Sequence, residues 1–72
     1  MVNVNKLRGK IVENGLSVEE VADKIGIDRS TLYRRLNSGG EGFLIKEADA
    51  IVKILHLTSN EATAIFFAQC VA

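Results

Sequence analysis

Residues 16–37 read LSVEEVADKIGIDRSTLYRRLN, and this stretch decides the fold. Ser17 stands three residues before Glu20. That is the capping-box spacing, in which the hydroxyl accepts from the glutamate amide and the carboxylate reaches back to the serine amide. A helix therefore starts at Ser17, and Val18, Val21, Ala22 and Ile25 give it one apolar face. Gly26 supplies a turn that a side chain would oppose. Ile27 plugs the corner, and Asp28 is placed to cap a second helix whose first turn is Arg29-Ser30-Thr31. Leu32 and Leu36, four apart, anchor that helix to a core and leave Arg29, Ser30, Tyr33, Arg34 and Asn37 on its other faces. Ala22 is small where the two helices must cross closely. The spacing predicts a helix-turn-helix over 17–37.

The flanking sequence is helical as well. Val4, Leu7 and Ile11 mark one face of a helix over about 3–14. Gly9 inside it is tolerated at a cost of about 1 kcal/mol relative to Ala or allows close helix packing, with a backbone approach to a ligand as the lesser alternative. Asn14-Gly15 ends it. Residues 38–42, SGGEG, form a loop. A fourth helix is expected over about 46–56, with Ala48, Ile51, Ile54 and Leu55 as its core stripe and His56 suited to the dipole at its end. Thr58 and Glu61 form a second capping box and open a fifth helix over about 59–69. There Ala62, Ile65, Phe66 and Gln69 share a face, and Phe67 points away from it. The chain holds no Pro and no internal repeat. The expected fold is all-α, five helices in a single helix-turn-helix domain over 1–72.

Composition excludes several classes. An apolar fraction of 47% is too high for a disordered chain. No apolar run approaches the roughly 20 residues of a membrane span, and no apolar segment with a cleavage site marks a secretory signal. Cys70 and His56 are the only residues of their types, so neither an internal disulfide nor the usual zinc cluster is available. Cys70 reads as a small apolar residue, and a reducing cytoplasm is the expected location. Glu47 and Asp49 are two apart and face different sides of a helix, and nothing pairs a nucleophile with a base. No enzyme, cofactor or metal site is expected.

The exposed side of the helix from Arg29 carries the chemistry of a base reader. Arg pairs bidentately with O6 and N7 of guanine, and Ser or Thr contacts several base edges. Residues at the N-terminus of such a helix enter the major groove. Arg29, Ser30 and Arg34 are the base-contact candidates, with Thr31 beside them. Tyr33 suits a thymine methyl or a phosphate. Arg35, Asn37, Ser38 and the amides of Gly39 and Gly40 suit phosphates, as do Lys6, Arg8 and Lys10 of the first helix. The charge balance argues for weak binding by a single copy. Nine Lys and Arg face nine Asp and Glu. Residues 1–37 hold seven bases against five acids, and residues 38–72 hold two against four. The small basic excess lies in the half that would meet DNA.

From Gly26 to Asn37 the chain reads GIDRSTLYRRLN, and from Phe43 to Phe67 it follows FxxKEADxIxxxLxLxxxEAxxIFF. In these segments it resembles the Cro/C1-type, or Xre-like, helix-turn-helix regulators of temperate phages. The resemblance implies the five-helix lambda-repressor-like fold, operator DNA as partner, dimers on paired half-sites, and a part in the switch between lysis and lysogeny. The family's base-reading positions fall on Arg29, Ser30 and Arg34. Two positions depart from its pattern. Val18 stands where a polar residue often touches phosphate, and Leu44 stands where a Thr often caps the fourth helix. In size and neutral charge the chain is also similar to small phage modulators of repression, which act on the cognate repressor.

The segment from Ile65 to Ala72, IFFAQCVA, is unusually apolar. One helix cannot bury Phe66 and Phe67 on the same side. Ile65, Phe66, Phe67 and Val71 are therefore the candidates for an interface, either in a homodimer or in a complex with the phage repressor. The alternative is that the tail folds back over the core. A dimer would space two reading helices about 34 Å apart. In a repressor complex, Glu19, Glu20 and Asp23 would meet a basic surface and alter or block its DNA binding.

Overall fold

The computed structural model describes residues 2–40 and 42–67. Five helices follow in order: α1 (Val4–Glu13), α2 (Val18–Ile25), α3 (Arg29–Asn37), α4 (Ile45–Ile54) and α5 (Ser59–Phe66). Among the described residues there is no strand. The apolar stripes meet in one core of Leu7, Ile11, Val21, Ala22, Leu32, Leu36, Ile51, Leu55, Ile65 and Phe66. α2 lies at its centre, packed on α1, α3 and α4, and α1 closes the far side against α5. Ala22 is fully buried at this crossing, as its small size demands. The chain start is tied to α5 by the Asn3 amide, which donates to the Ile65 carbonyl at 2.6 Å.

Both capping boxes form. The Ser17 hydroxyl accepts from the Glu20 amide and the Glu20 carboxylate accepts from the Ser17 amide, each at 3.1 Å. Thr58 and Glu61 repeat the arrangement on α5, at 2.9 and 3.1 Å. The cap of α3 differs from expectation, and α4 lacks a side-chain cap at Leu44 as expected. Asp28 occupies the N-cap of α3 in extended conformation, but its side chain makes no capping hydrogen bond. Leu44 has no oxygen with which to cap α4. Instead the Glu47 carboxylate accepts from the Leu44 amide at 3.0 Å, half of a capping box.

Helix ends explain the remaining differences. Gly26 sits at φ 79°, the left-handed conformation that turns α2 into α3. α4 ends at Ile54 rather than at residue 56. The amides of His56 and Leu57 donate back to the carbonyls of Lys53 and Val52, a Schellman closure with His56 at φ 55°. His56 therefore lies past the helix in a conformation that glycine usually fills. Gly9 is exposed, and a Cβ there would meet nothing within 4 Å, so it serves no close helix packing. Phe67 is the C-cap of α5, and Gln69, Cys70 and Val71 lie outside the described residues.

Candidate nucleic-acid interface

The exposed side of α3 follows from which residues it buries. Leu32 and Leu36 face the core, so the opposite side of the cylinder is centred on Arg34, with Ser30, Thr31 and Asn37 around it. Ser30, Arg34 and Asn37 are exposed and Thr31 is half-buried. Arg34 has no carboxylate partner among the described residues. Its one polar contact is Nη2 to the Thr31 hydroxyl at 3.5 Å, the outer limit of a hydrogen bond. This arginine is free to meet another molecule.

The flanks of α3 are held by acids from its neighbours. On the α2 side, Arg29 donates from Nη2 to Asp23 Oδ2 at 2.9 Å, and the Tyr33 hydroxyl donates to Glu19 Oε2 at 2.5 Å. The hydrogen bond from Tyr33 holds the Glu19 carboxyl below its ordinary range, and the same bond pushes the phenol up. The guanidinium of Arg29 lowers Asp23 in the same way, and Asp23 raises Arg29. Arg8 of α1 lies close enough to act on the Tyr33 hydroxyl electrostatically, while Lys6 is exposed.

On the opposite flank, Arg35 is paired with Glu47 of α4, and its guanidinium lies 6.0 Å from the centre of the Phe43 ring. That ring meets Phe66 edge to face at 6.1 Å. Arg35 therefore braces α3 against α4 and the loop, and its guanidinium is not turned to the outer face. Glu47 is buried, which the sequence reading missed. A charged residue that follows Lys46 and stands two before Asp49 gives no periodic signal. The signal available was its place three residues after Leu44.

Other candidates for phosphate contact are also engaged within the fold. The Gly39 and Gly40 amides donate to the carbonyls of Leu36 and Arg35, closing the end of α3, so they are not available to phosphates. The Ser38 hydroxyl donates to the Arg35 carbonyl at 3.0 Å. Lys10 donates to Glu61 at 2.5 Å and lies 3.5 Å from Glu13. Lys10 thus tethers α1 to α5. Its hydrogen bond, with the backbone cap at Thr58, holds the Glu61 carboxyl down at about 2.

At the other end of the molecule, Ile65 and Phe66, expected at an interface, are core residues of this chain. They are buried because α5 turns them onto α1 and the Phe43 ring. Phe67 is 56% exposed and Ile45 89% exposed, and with Leu44 they rim an open apolar depression of about 470 Å³ whose floor includes Phe43 and Phe66. Val71 lies outside the described residues. Among the described residues no helix is long and apolar enough to cross a membrane, and no group of three His, Cys, Asp or Glu side chains comes together.

The architecture agrees with the comparison to known families. A helix-turn-helix family model matches residues 7–60, from the first buried leucine of α1 into α5. No curated protein and no solved structure gave a match. The matched span takes in α2, the Gly26 turn, α3 and α4, and the chain belongs to the HTH_3 helix-turn-helix family of DNA-binding transcription regulators.

Proposed function

We propose that this chain regulates transcription by placing α3 in the major groove of an operator, as part of a temperate-phage switch between lysis and lysogeny. The observation that carries the reading is the outer face of α3, where an exposed Arg34 stands between Ser30 and Asn37 without a carboxylate partner among the described residues. These residue types match base edges, and Arg29 stands at the N-terminal end of the helix on its α2 flank. Two copies would read two half-sites. The exposed apolar rim of Leu44, Ile45 and Phe67 is the surface assigned to their contact.

One observation favours a second reading. Two of the three α3 arginines are already matched by Asp23 and Glu47, and α2 adds Glu20, so little positive charge is left for phosphates. A module that binds the cognate repressor and alters its DNA binding fits that balance. A mobility-shift assay on the promoter DNA flanking the gene, with and without the co-encoded repressor, separates the two. A shift by the chain alone, lost in Arg34→Ala, supports the operator reading. A stable complex with the repressor and no shift alone would sink it.

A further inference from the structure

Asp23 and Glu19 lie one turn apart on α2 and face the flank of α3 that carries Arg29 and Tyr33. From the sequence these acids suggest only a surface that meets a basic partner. Their geometry shows a more specific role for Asp23. It meets Arg29 on the side edge of the guanidinium, with Nη2 donating to Oδ2 at 2.9 Å and Nε to Oδ1 at 3.5 Å. The outer edge, Nη1 with the remaining proton of Nη2, meets no hydrogen-bond partner among the described residues. That edge is the fork that pairs with O6 and N7 of guanine. An exposed arginine samples many rotamers, and a carboxylate holding one edge reduces the ordering needed when DNA arrives. Both side chains are more than half exposed, so the pair contributes little to folding. The Gly26 turn brings the two residues, six apart in sequence, into this register.

We propose that Asp23 is a positioning residue, which presents the outer edge of Arg29 to a guanine of the operator. Specificity at that base pair then depends on an acid of the first helix of the motif, not only on the reading helix. The carboxylate adds selectivity of its own, because it repels the acceptor atoms of any purine edge that Arg29 does not satisfy. This inference rests on the DNA-reading proposal.

Selection from a randomised duplex library, read by sequencing, tests it with the wild type and with Asp23→Asn, Arg29→Ala and Arg34→Ala. All three substituted side chains are exposed, and circular dichroism checks that the variants keep the helical signal. The wild type should enrich one guanine whose preference Arg29→Ala abolishes. Asp23→Asn should lower the preference at that same base pair about fivefold or more, the lower end of a bidentate contact. Preferences lost in Arg34→Ala should stay intact in Asp23→Asn. Binding to unselected duplex should tighten in Asp23→Asn, since a negative charge leaves the DNA-facing side. A purely structural role for Asp23 would not produce this split. Full retention of the guanine preference in Asp23→Asn, or equal weakening at every position, overturns the inference while the operator reading stands. If the wild type enriches no sequence, both fail together.

Discussion

Replacing Arg35 with Ala distinguishes a structural arginine from a reading one. The side chain of Glu47 is 7% exposed and that of Arg35 20% exposed. With the guanidinium gone, a buried carboxylate keeps, among the described residues, only the Leu44 amide as partner, and the contact over Phe43 is lost. Breaking a buried ion pair by removing one partner costs about 3–5 kcal/mol. Water reaches the site past the partly exposed Arg35, so the lower end applies, about 3 kcal/mol. A domain of 72 residues has about 4–11 kcal/mol of stability in all. At about 4–8 °C per kcal/mol for this size, the melting midpoint should fall by about 12–24 °C. Thermal and urea unfolding followed by far-ultraviolet circular dichroism reads this directly. Arg34→Ala, on the solvent face, should melt within about 0.5 kcal/mol of the wild type. The double change Arg35→Met with Glu47→Leu should recover most of the loss, because an apolar pair replaces the charges without leaving one buried alone. If Arg35→Ala melts with the wild type and only DNA affinity falls, the bracing role is refuted and Arg35 belongs to the reading face.

Three further outcomes are expected. Gly9→Ala should stabilise α1 by about 1 kcal/mol, since the new methyl meets nothing within 4 Å, whereas Gly40→Ala should destabilise by at least about 1–2 kcal/mol. Gly40 has φ +85° and its Cβ would lie 2.3 Å from that of Val2, and equal melting of both variants in urea would contradict this account. The depressed Glu61 carboxyl should make stability fall as pH drops from its ordinary value near 4.5 toward about 2, because protonation breaks the bond to Lys10. Glu61→Gln keeps an oxygen for the Thr58 amide but loses the ion pair, so its urea midpoint should change less across that window; an unchanged slope would count against the tether. Ile45→Glu and Phe67→Asp should each convert a dimer to monomer in sedimentation equilibrium, and a wild type that stays monomeric at all concentrations would remove the assigned contact.

Much of the fold was legible because local rules and the core agreed. The Ser17–Glu20 and Thr58–Glu61 spacings located two helix starts, and the Gly26 turn with Leu32 and Leu36 set α3 across α2. The Val21–Ala22 and Ile51–Leu55 pairs announced their burial by helical spacing. Predictions from the same logic failed where a residue's environment came from distant segments. Helical spacing put Phe66 on the core face and Phe67 away from it, and the structure agrees, but spacing gave no sign that Glu47 is buried against Arg35. Asp28 has the right type for a cap, but its side chain does not make the bond.

The stretch from Leu16 to Asn37 determined by itself that this protein carries a helix-turn-helix and which side of α3 faces outward. Those properties depend on residues within a few turns of one another, which spacing and capping chemistry report directly. Only the tertiary structure decided which arginines are free. Arg29, Arg34 and Arg35 look alike in sequence, but Asp23 of α2 holds the first, Glu47 of α4 holds the last, and Arg34 alone has no carboxylate partner among the described residues. The availability of a charge depends on the sign and distance of its neighbours in space. Those neighbours come from helices whose packing no single segment encodes.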